Sequence, residues 1–546
     1  MDSQSYEIKN CDVLVIGGGG SGTLASIEAS KHKSLKVILA CKGPIGQSGL
    51  TPTANGGTRA VGSPQDIFNE AITSGRFLND QTIMWHMVSQ IQDSLQALSQ
   101  LGITAMPLSP KTLCVPGAIT LQKLRDVARG VPNLELLEDV LITSLISSDE
   151  KISGATALDL STGDFFLIQA TTVVIATGGF VGELYPHSSN NPFGVTTGAS
   201  GTGHIMSYLA GAELIDMEMI QFVPLPANPQ CLHLRYYPEF WIGPYLNRLG
   251  EVVESDINSY VGAAYSPVLV QKFFRESEQG NGPIYIDHGG IEGSVPYSAV
   301  EAWDKRRKLL TLLGIDPSQN KIEIIIGSHF GMGGIRVNEK TETTLPGLYA
   351  AGEIMGGVHG ALRIQGFSFT QMIVFGFEAG RQAADYAIEN KKTYRLSDPC
   401  IEQEEERVFR FLEPQNDPVR LTELRKQLQQ VMEEYVFIVR DKTGLTNAIS
   451  RIKTIKKDVS RIDVPNFKRF NIEWVKAIEF SLLIEAAEIV AESALAREES
   501  RGCHYRSDFP EEDNHNWLKH TVASFERERL RIYTAPVVLN RIKPEN

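Results

Sequence analysis

The chain has little cysteine, and no two cysteines stand at Cys-x-x-Cys spacing: Cys11, Cys41, Cys114, Cys231, Cys400 and Cys503 are scattered over 546 residues. That spread argues against an iron–sulfur cluster or a structural zinc held within the chain, so no metal site is expected; it suits inert thiols in a reducing compartment. No apolar run approaches the ~20 residues that a membrane helix needs. The opening residues, Met1 to Glu7, have neither the basic stretch nor the apolar core of a secretory signal, so the expectation is a cytoplasmic protein without direct membrane insertion. Positive charge is in short supply: 52 Lys and Arg face 65 Asp and Glu, a net charge of −13, which argues against nucleic acid or an anionic membrane as the main partner. Repeats and low-complexity tracts are absent. What remains is ordinary globular material, 42% hydrophobic and 21% charged, enough for two to four domains.

Glycine is placed with purpose. Residues 11–16 read as a buried parallel strand and run into Gly17-Gly18-Gly19-Gly20-Ser21-Gly22; a helix follows through Leu24 to Ser30, and a second strand over Lys36 to Ala40. Strand, glycine loop, helix, strand is the context in which G-x-G-x-x-G signifies a dinucleotide site. Gly17, Gly19 and Gly22 let the backbone close on a pyrophosphate at a helix N-terminus, where free N–H groups and the helix dipole favour anions. A further strand ends at Ala176-Thr177-Gly178-Gly179, and another, Gly347 to Ala351, ends at Gly352-Glu353. The chain therefore returns to its nucleotide domain after a long excursion rich in proline and aromatics. From about residue 400 it turns charged and helically periodic, over 402–440 and 470–500. The segment from Gly352 to Arg363 sets a glycine-rich turn, His359 and Arg363 close together, the parts needed to bring a carboxylate up to a cofactor.

Together these segments resemble the flavoprotein family of succinate dehydrogenase, fumarate reductase and L-aspartate oxidase, to which the α chain of adenylylsulfate reductase is more distantly related. Besides the glycine loop, the resemblance rests on Asn55-Gly56-Gly57, Gly198 to Gly203, Asp216-Met217-Glu218 with Gln221-Phe222, and His329-Phe330-Gly331-Met332-Gly333-Gly334. The His-Gly-Ala-x-Arg segment and the tail from Arg497 to Arg506 complete it. It covers nearly the whole chain. It implies an α/β fold: a Rossmann-like FAD-binding domain (1–215 and 336–395), an inserted α+β capping domain (216–335) and a helical C-terminal domain (396–546).

The implied cofactor is FAD. The residues expected around it are Gly17, Gly19, Gly20, Ser21 and Gly22 in the loop; Cys41, Lys42, Ser48 and Gly49 after the second strand; and Asn55, Gly56 and Gly57. Ala176, Thr177 and Gly178, then Gly203 and His204, then Gly352, Glu353, Arg363, Ser368 and Phe369 complete the set. The helix starting near Ser368 is expected to aim its N-terminal dipole at the flavin pyrimidine, favouring the anionic reduced form. Respiratory relatives attach FAD through a histidine before the Asn55 position. Here Ser48 to Asn55 contains none, so the flavin is expected to be bound non-covalently.

The resemblance makes His329 and Arg363 the carboxylate-binding pair, with His359 a weaker catalytic candidate. Other positions depart from the family. Val223 replaces a histidine that touches substrate; Glu239 lies where an Arg-Gly-Glu-Gly motif should be; and Ser266 stands at the place of a proton-shuttling arginine. A positioned proton donor contributes ~10²–10⁴ in rate, so ordinary fumarate reduction is expected to be poor. Arg275, Tyr265 and Lys272 are the candidates for a displaced acid, and Tyr236, Tyr237, Phe240 and Trp241 suggest an aromatic substrate wall. His204 replaces a family aspartate. The reading is an FAD oxidoreductase acting on a carboxylate-bearing small molecule other than succinate or fumarate. The alternatives are a flavoprotein subunit with an iron–sulfur electron-transfer partner, and an amino-acid oxidase like L-aspartate oxidase.

Overall fold

In the computed structural model, residues 6–54, 56–109, 111–148, 150–189, 199–228, 243–254, 266–287, 307–308, 310–312, 314–316, 321–390 and 398–545 are described. Asn55, Tyr236, Tyr237, Glu239, Phe240, Trp241 and Tyr265 lie outside them.

The nucleotide half is built on a seven-stranded sheet. Its centre is four parallel strands in the order Leu134–Leu137, Val37–Ala40, Ile8–Ile16 and Phe165–Ile175, with Leu348–Ala350 adding in parallel to the end of the last. Lys151–Asp159 and Val140–Ser148 extend the sheet antiparallel. Val13, Leu14, Val15, Val37, Ile38, Val173 and Val174 are fully buried, as strands covered on both faces require. The helix Gly20–Ala29 runs beneath the long helix Phe367–Glu389 at a distance that only glycine permits. A Cβ at Gly380 would lie 2.3 Å from the Ala25 carbonyl oxygen, and one at Gly376 3.1 Å from that of Ser21.

The chain leaves this sheet through Leu214–Ile215 and returns through Gly334–Ile335, and these two short strands pair with each other. Between them lies a five-stranded antiparallel sheet ordered Ile220–Pro226, Ile322–Gly331, Ile284–Ile286, Tyr245–Leu246 and Val252–Glu254, with the helix Pro267–Glu278 against it. The later chain forms four main helices, Asp398–Phe409, Leu421–Tyr435, Lys442–Asp458 and Ile472–Ala496. The last is capped by Asn471, whose side chain accepts from the Trp474 backbone N–H at 3.1 Å. It is apolar around most of its circumference and passes through the core. Among the described residues, no helix is long and apolar enough to cross a membrane.

The chain does not finish as helix. A hairpin, Lys519–Glu526 with Arg529–Pro536, adds itself to Leu214–Ile215, so the two crossings into the inserted sheet are stitched to the C-terminus. The stitch is ionic. Arg497, with no exposed surface, donates Nε to Glu218 at 2.6 Å, Nη1 to Glu499 at 2.9 Å and Nη2 to Asp216 at 3.2 Å. The carbonyls of Trp517 and Lys519 take its remaining donors. Asp216, held at a left-handed φ of 53°, also bonds His520 at 2.5 Å, and Glu218 accepts from Thr521 at 2.7 Å. Removing one partner of such a buried cluster leaves uncompensated charge and costs about 3–5 kcal/mol. Arg497→Ala is expected to lower unfolding stability by that amount in chemical denaturation, and Arg497→Lys, which cannot reproduce the fork, to recover little of it. A loss below about 1 kcal/mol would show that the cluster does not hold the fold.

Candidate functional site

One cavity of about 560 Å³ runs across the C-terminal ends of the parallel strands. Its wall starts in the glycine loop. Gly17 (φ 110°) lies so near the Ala176 carbonyl that a Cβ would be 2.4 Å from the oxygen, and a Cβ on Gly22 would strike the Gly17 carbonyl at 1.9 Å. Gly19 differs: a Cβ there would meet only Thr51 Oγ1, at 3.8 Å, so its open side faces the cavity. The loop opens the helix Gly20–Ala29, whose first turn carries no acid, and Gly20 N–H donates to Thr51 Oγ1 at 3.1 Å. This is a cradle for a diphosphate.

Most of the expected cofactor residues line this cavity: Gly17, Gly19, Gly20, Ser21, Cys41, Lys42, Ser48, Gly49, Gly56, Gly57, Ala176, Thr177, Gly178, Glu353, Arg363, Ser368 and Phe369. Gly22, Gly203, His204 and Gly352 are not in the wall; the glycines act one layer back. A Cβ on Gly203 would meet Thr177 Oγ1 at 2.0 Å, and one on Gly352 (φ 85°) Ser21 Oγ at 2.4 Å. His204 is fully buried edge-on to Phe180, at 5.2 Å between ring centroids, and neither ring nitrogen finds a partner among the described residues. Burial pushes it down to about 3, so it is neutral.

The wall also includes residues that the sequence did not suggest. Val140, Leu141 and Ile142 come from the antiparallel edge of the sheet, Thr202 and Met206 from the helix Thr202–Leu209, and Glu479 from the helix Ile472–Ala496. An acid inside the run Ala477-Ile478-Glu479-Phe480 was the one available signal for the last.

At another part of the wall stand His329, Phe330 and Arg363. Arg363 is 4% exposed and its guanidinium lies over the Phe330 ring at 4.8 Å. Gln221 grips it twice, accepting from Nε at 3.1 Å and donating Nε2 to its backbone carbonyl at 3.2 Å. Nη1 reaches Ser368 Oγ at 3.3 Å, and Nη2 lies 2.7 Å from His329 Nε2. A guanidinium can only donate, so His329 Nε2 accepts. The ring proton then sits on Nδ1, which donates to Ser189 Oγ at 2.6 Å. Nη1 also donates to the Ile364 carbonyl at 3.4 Å, and the pair places a cationic guanidinium beside a neutral imidazole in the cavity wall, chemistry that suits a carboxylate.

His359 is outside the wall. It donates Nε2–H to Gln371 Oε1 at 2.8 Å, Gln371 donates to the Gly352 carbonyl at 2.8 Å, and the ring packs edge-on to Phe330. Burial, then the nearby Arg363 charge, lower it to about 3. With Gly360 (φ 60°), tight against the Gly75 carbonyl, it shapes the turn that delivers Arg363. The described candidate acids of the inserted domain, Arg275 and Lys272, are not in the wall either. Arg275 donates to Tyr505 OH at 3.3 Å, Lys272 to Glu254 at 2.7 Å, and Ser266 precedes the helix Pro267–Glu278. Val223 is buried in its strand and does not line the cavity.

Glu353 carries the unusual titration. Oε1 is sealed against Gly179 without a partner, and burial raises the carboxyl to about 7, although Arg363 and the Gly331 N–H pull the other way. A carboxyl raised in the folded state contributes stability in full below its ordinary value near 4.5 and loses it as pH rises through 7. The flavin-free protein is expected to lose stability across that window relative to Glu353→Gln, measured as the difference between their denaturation midpoints from pH 4.5 to 8. A constant difference would refute the assignment.

The glycine cradle, the helix N-terminus and the residues lining the cavity fit FAD, and the known proteins agree. Residues 12–369 match the family model described as FAD binding domain, and residues 425–546 match that described as fumarate reductase flavoprotein C-term. The chain is 32% identical to a subunit of the CoM/CoB fumarate reductase of Methanothermobacter marburgensis, over 94% of this chain and 96% of that one. It is 28% identical to the fumarate reductase flavoprotein subunit of Mycobacterium tuberculosis, over 98% of both. Among solved structures, Sdh1 of Mycobacterium smegmatis superposes with a TM-score of 0.85 at 28% identity, covering 98% of this chain and 96% of that one. Adenylylsulfate reductase of Archaeoglobus fulgidus shares the fold at a TM-score of 0.80, 17% identity, and 99% and 100% coverage. Since Ser48 to Ala54 contains no histidine, acid precipitation is expected to leave the flavin free in the supernatant, read by its absorbance. Yellow colour retained on the pellet would show a covalent link.

Proposed function

The chain belongs to the fumarate reductase and succinate dehydrogenase flavoprotein family and is an FAD-dependent oxidoreductase, and we propose that it exchanges a hydride with a carboxylate-bearing small molecule other than succinate or fumarate. The observation that carries this reading is the Arg363–His329 pair in the cavity wall, gripped by Gln221 and Ser189. Bound FAD supplies two-electron chemistry at its N5 atom. Arg363 binds and orients the substrate carboxylate through the fork that Gln221 keeps aimed, and His329 steadies the same group. Phe330 excludes water beneath the guanidinium.

Against a C4 dicarboxylate stands what the rest of the site has exchanged. Val223 and Ser266 stand in sequence where the family has a substrate-touching histidine and a proton-shuttling arginine, so the two groups that would serve a second carboxylate and the substrate carbon are exchanged, although neither replacement lines the cavity. A substrate with one carboxylate and a more apolar remainder suits these residues better. A role as the flavin-bearing member of a larger assembly with an iron–sulfur partner is supported by the relatives, which are themselves named as subunits.

Anaerobic titration of the holoprotein with dicarboxylates, amino acids and aryl or acyl carboxylates, followed by flavin absorbance, tests the reading. A monocarboxylate or aryl carboxylate is expected to perturb or bleach the flavin, and Arg363→Met to weaken that response at least about a hundredfold. Bleaching by succinate at an ordinary enzymatic rate would refute the exclusion of C4 dicarboxylates. An unchanged response in Arg363→Met would refute the carboxylate anchor.

A further inference from the structure

A dinucleotide site of this kind places an acid about 20 residues beyond its glycine loop, at the end of the second strand, to bind the adenosine ribose hydroxyls. Here that strand, Val37–Ala40, is followed by Cys41-Lys42-Gly43, and nothing acidic occurs between Val37 and Gln47. The position is occupied by a cation. Lys42 lines the cavity and pairs with Glu479, which lines it too and comes from the helix Ile472–Ala496 of the C-terminal half. Ser200 Oγ, also in the wall, is 3.5 Å from the same Glu479 oxygen.

We infer that Glu479 replaces the missing strand-end acid and accepts a hydrogen bond from the adenosine ribose hydroxyls of FAD, so that the C-terminal helical half supplies part of the cofactor site. Glu479 is equipped for this. Its side chain is 3% exposed, Lys476 donates to Oε2 at 2.9 Å, and Lys42 takes Oε1, which leaves acceptor capacity on the carboxylate. Burial alone would raise the group, but Lys42 and Lys476 outweigh it and hold Glu479 at about 2, so it is ionised at any working pH. The pairs continue from Lys476 to Glu183, at 3.2 Å, and from Glu183 to Arg425. Three cations against two carboxylates leave one positive charge in excess in a network that reaches the cavity through Lys42. His204, in the adjacent helix, provides no carboxylate and lies outside the wall.

The test is direct binding to the flavin-free full-length protein, read by quenching of flavin fluorescence. FAD is compared with an FAD analogue lacking both adenosine-ribose hydroxyls, on wild type and on Glu479→Gln. A lost hydrogen bond to a charged group is expected to raise the Kd for FAD about 10- to 100-fold in the variant. The analogue is expected to bind wild type with a comparable deficit and to lose nothing further in Glu479→Gln. Equal weakening of FAD and analogue by the substitution would overturn the proposal, because Glu479 would then act only through the lysines it holds in place. Unchanged FAD affinity would overturn it as well. Should Glu479→Gln fail to fold, Glu479→Asp keeps the charge between the two lysines but shortens its reach. It is expected to discriminate less between FAD and the analogue, and undiminished discrimination would overturn the proposal.

Discussion

A guanidinium without water around it must have every donor answered by protein, and Arg497 meets that demand by drawing three stretches of chain to one point. Asp216 and Glu218 come from the crossing into the inserted sheet, Glu499 from the turn after the last helix, and the Trp517 and Lys519 carbonyls from the start of the closing hairpin. Arg501 extends the arrangement through Glu499 and Glu512, and Arg440 and Arg506 are buried close by. Buried charge is a poor source of net stability but a strict one of geometry. The immediate beneficiary is Gln221, three residues beyond Glu218, which grips Arg363. The aim of Arg363 is thus fixed in part by a tail whose residues never touch the cavity.

The same economy of donors orders the site itself. Arg363 faces Gln221, His329, Ser368 and the Phe330 ring; His329 is held by Ser189, Phe330 by the edge of His359, and Gln221 returns a hydrogen bond to the arginine's own carbonyl. His359, four residues before the arginine, contributes by being neutral and held by Gln371 and Phe330. A protonated imidazole there would oppose Arg363 in a region of low dielectric, and burial together with that arginine keeps it uncharged.

Local patterns were readable in the sequence because their causes are local. The opening strand, the glycine loop and the helix behind it follow from hydrophobic runs and from glycines with no room for a Cβ, and they lie where expected to within a few residues. The helices of the later chain announced themselves by periodicity. The closing hairpin did not: Lys519–Glu526 and Arg529–Pro536 are short, mixed in polarity and stabilised by pairing with Leu214–Ile215, some three hundred residues earlier. Ser189 and Glu479 escaped for the same reason, since neither sits in a recognisable local pattern and each is defined by a partner 140 or more residues away. In the sequence, Arg275 and Lys272 looked like displaced acids because order along the chain resembles proximity; helix geometry turned both to Tyr505 and Glu254.

The descent of Glu479 into a cavity that begins at Gly17 sets a timetable for the ribosome. The glycine loop is made long before Glu479, so the wall it belongs to lacks a member until residue 479 has been made. At about 5–20 residues per second that is roughly 20–90 s later. During that interval the nascent chain carries a half-built vessel with its apolar lining open. The cavity wall is therefore complete only when residues far apart in the order of synthesis have both been made.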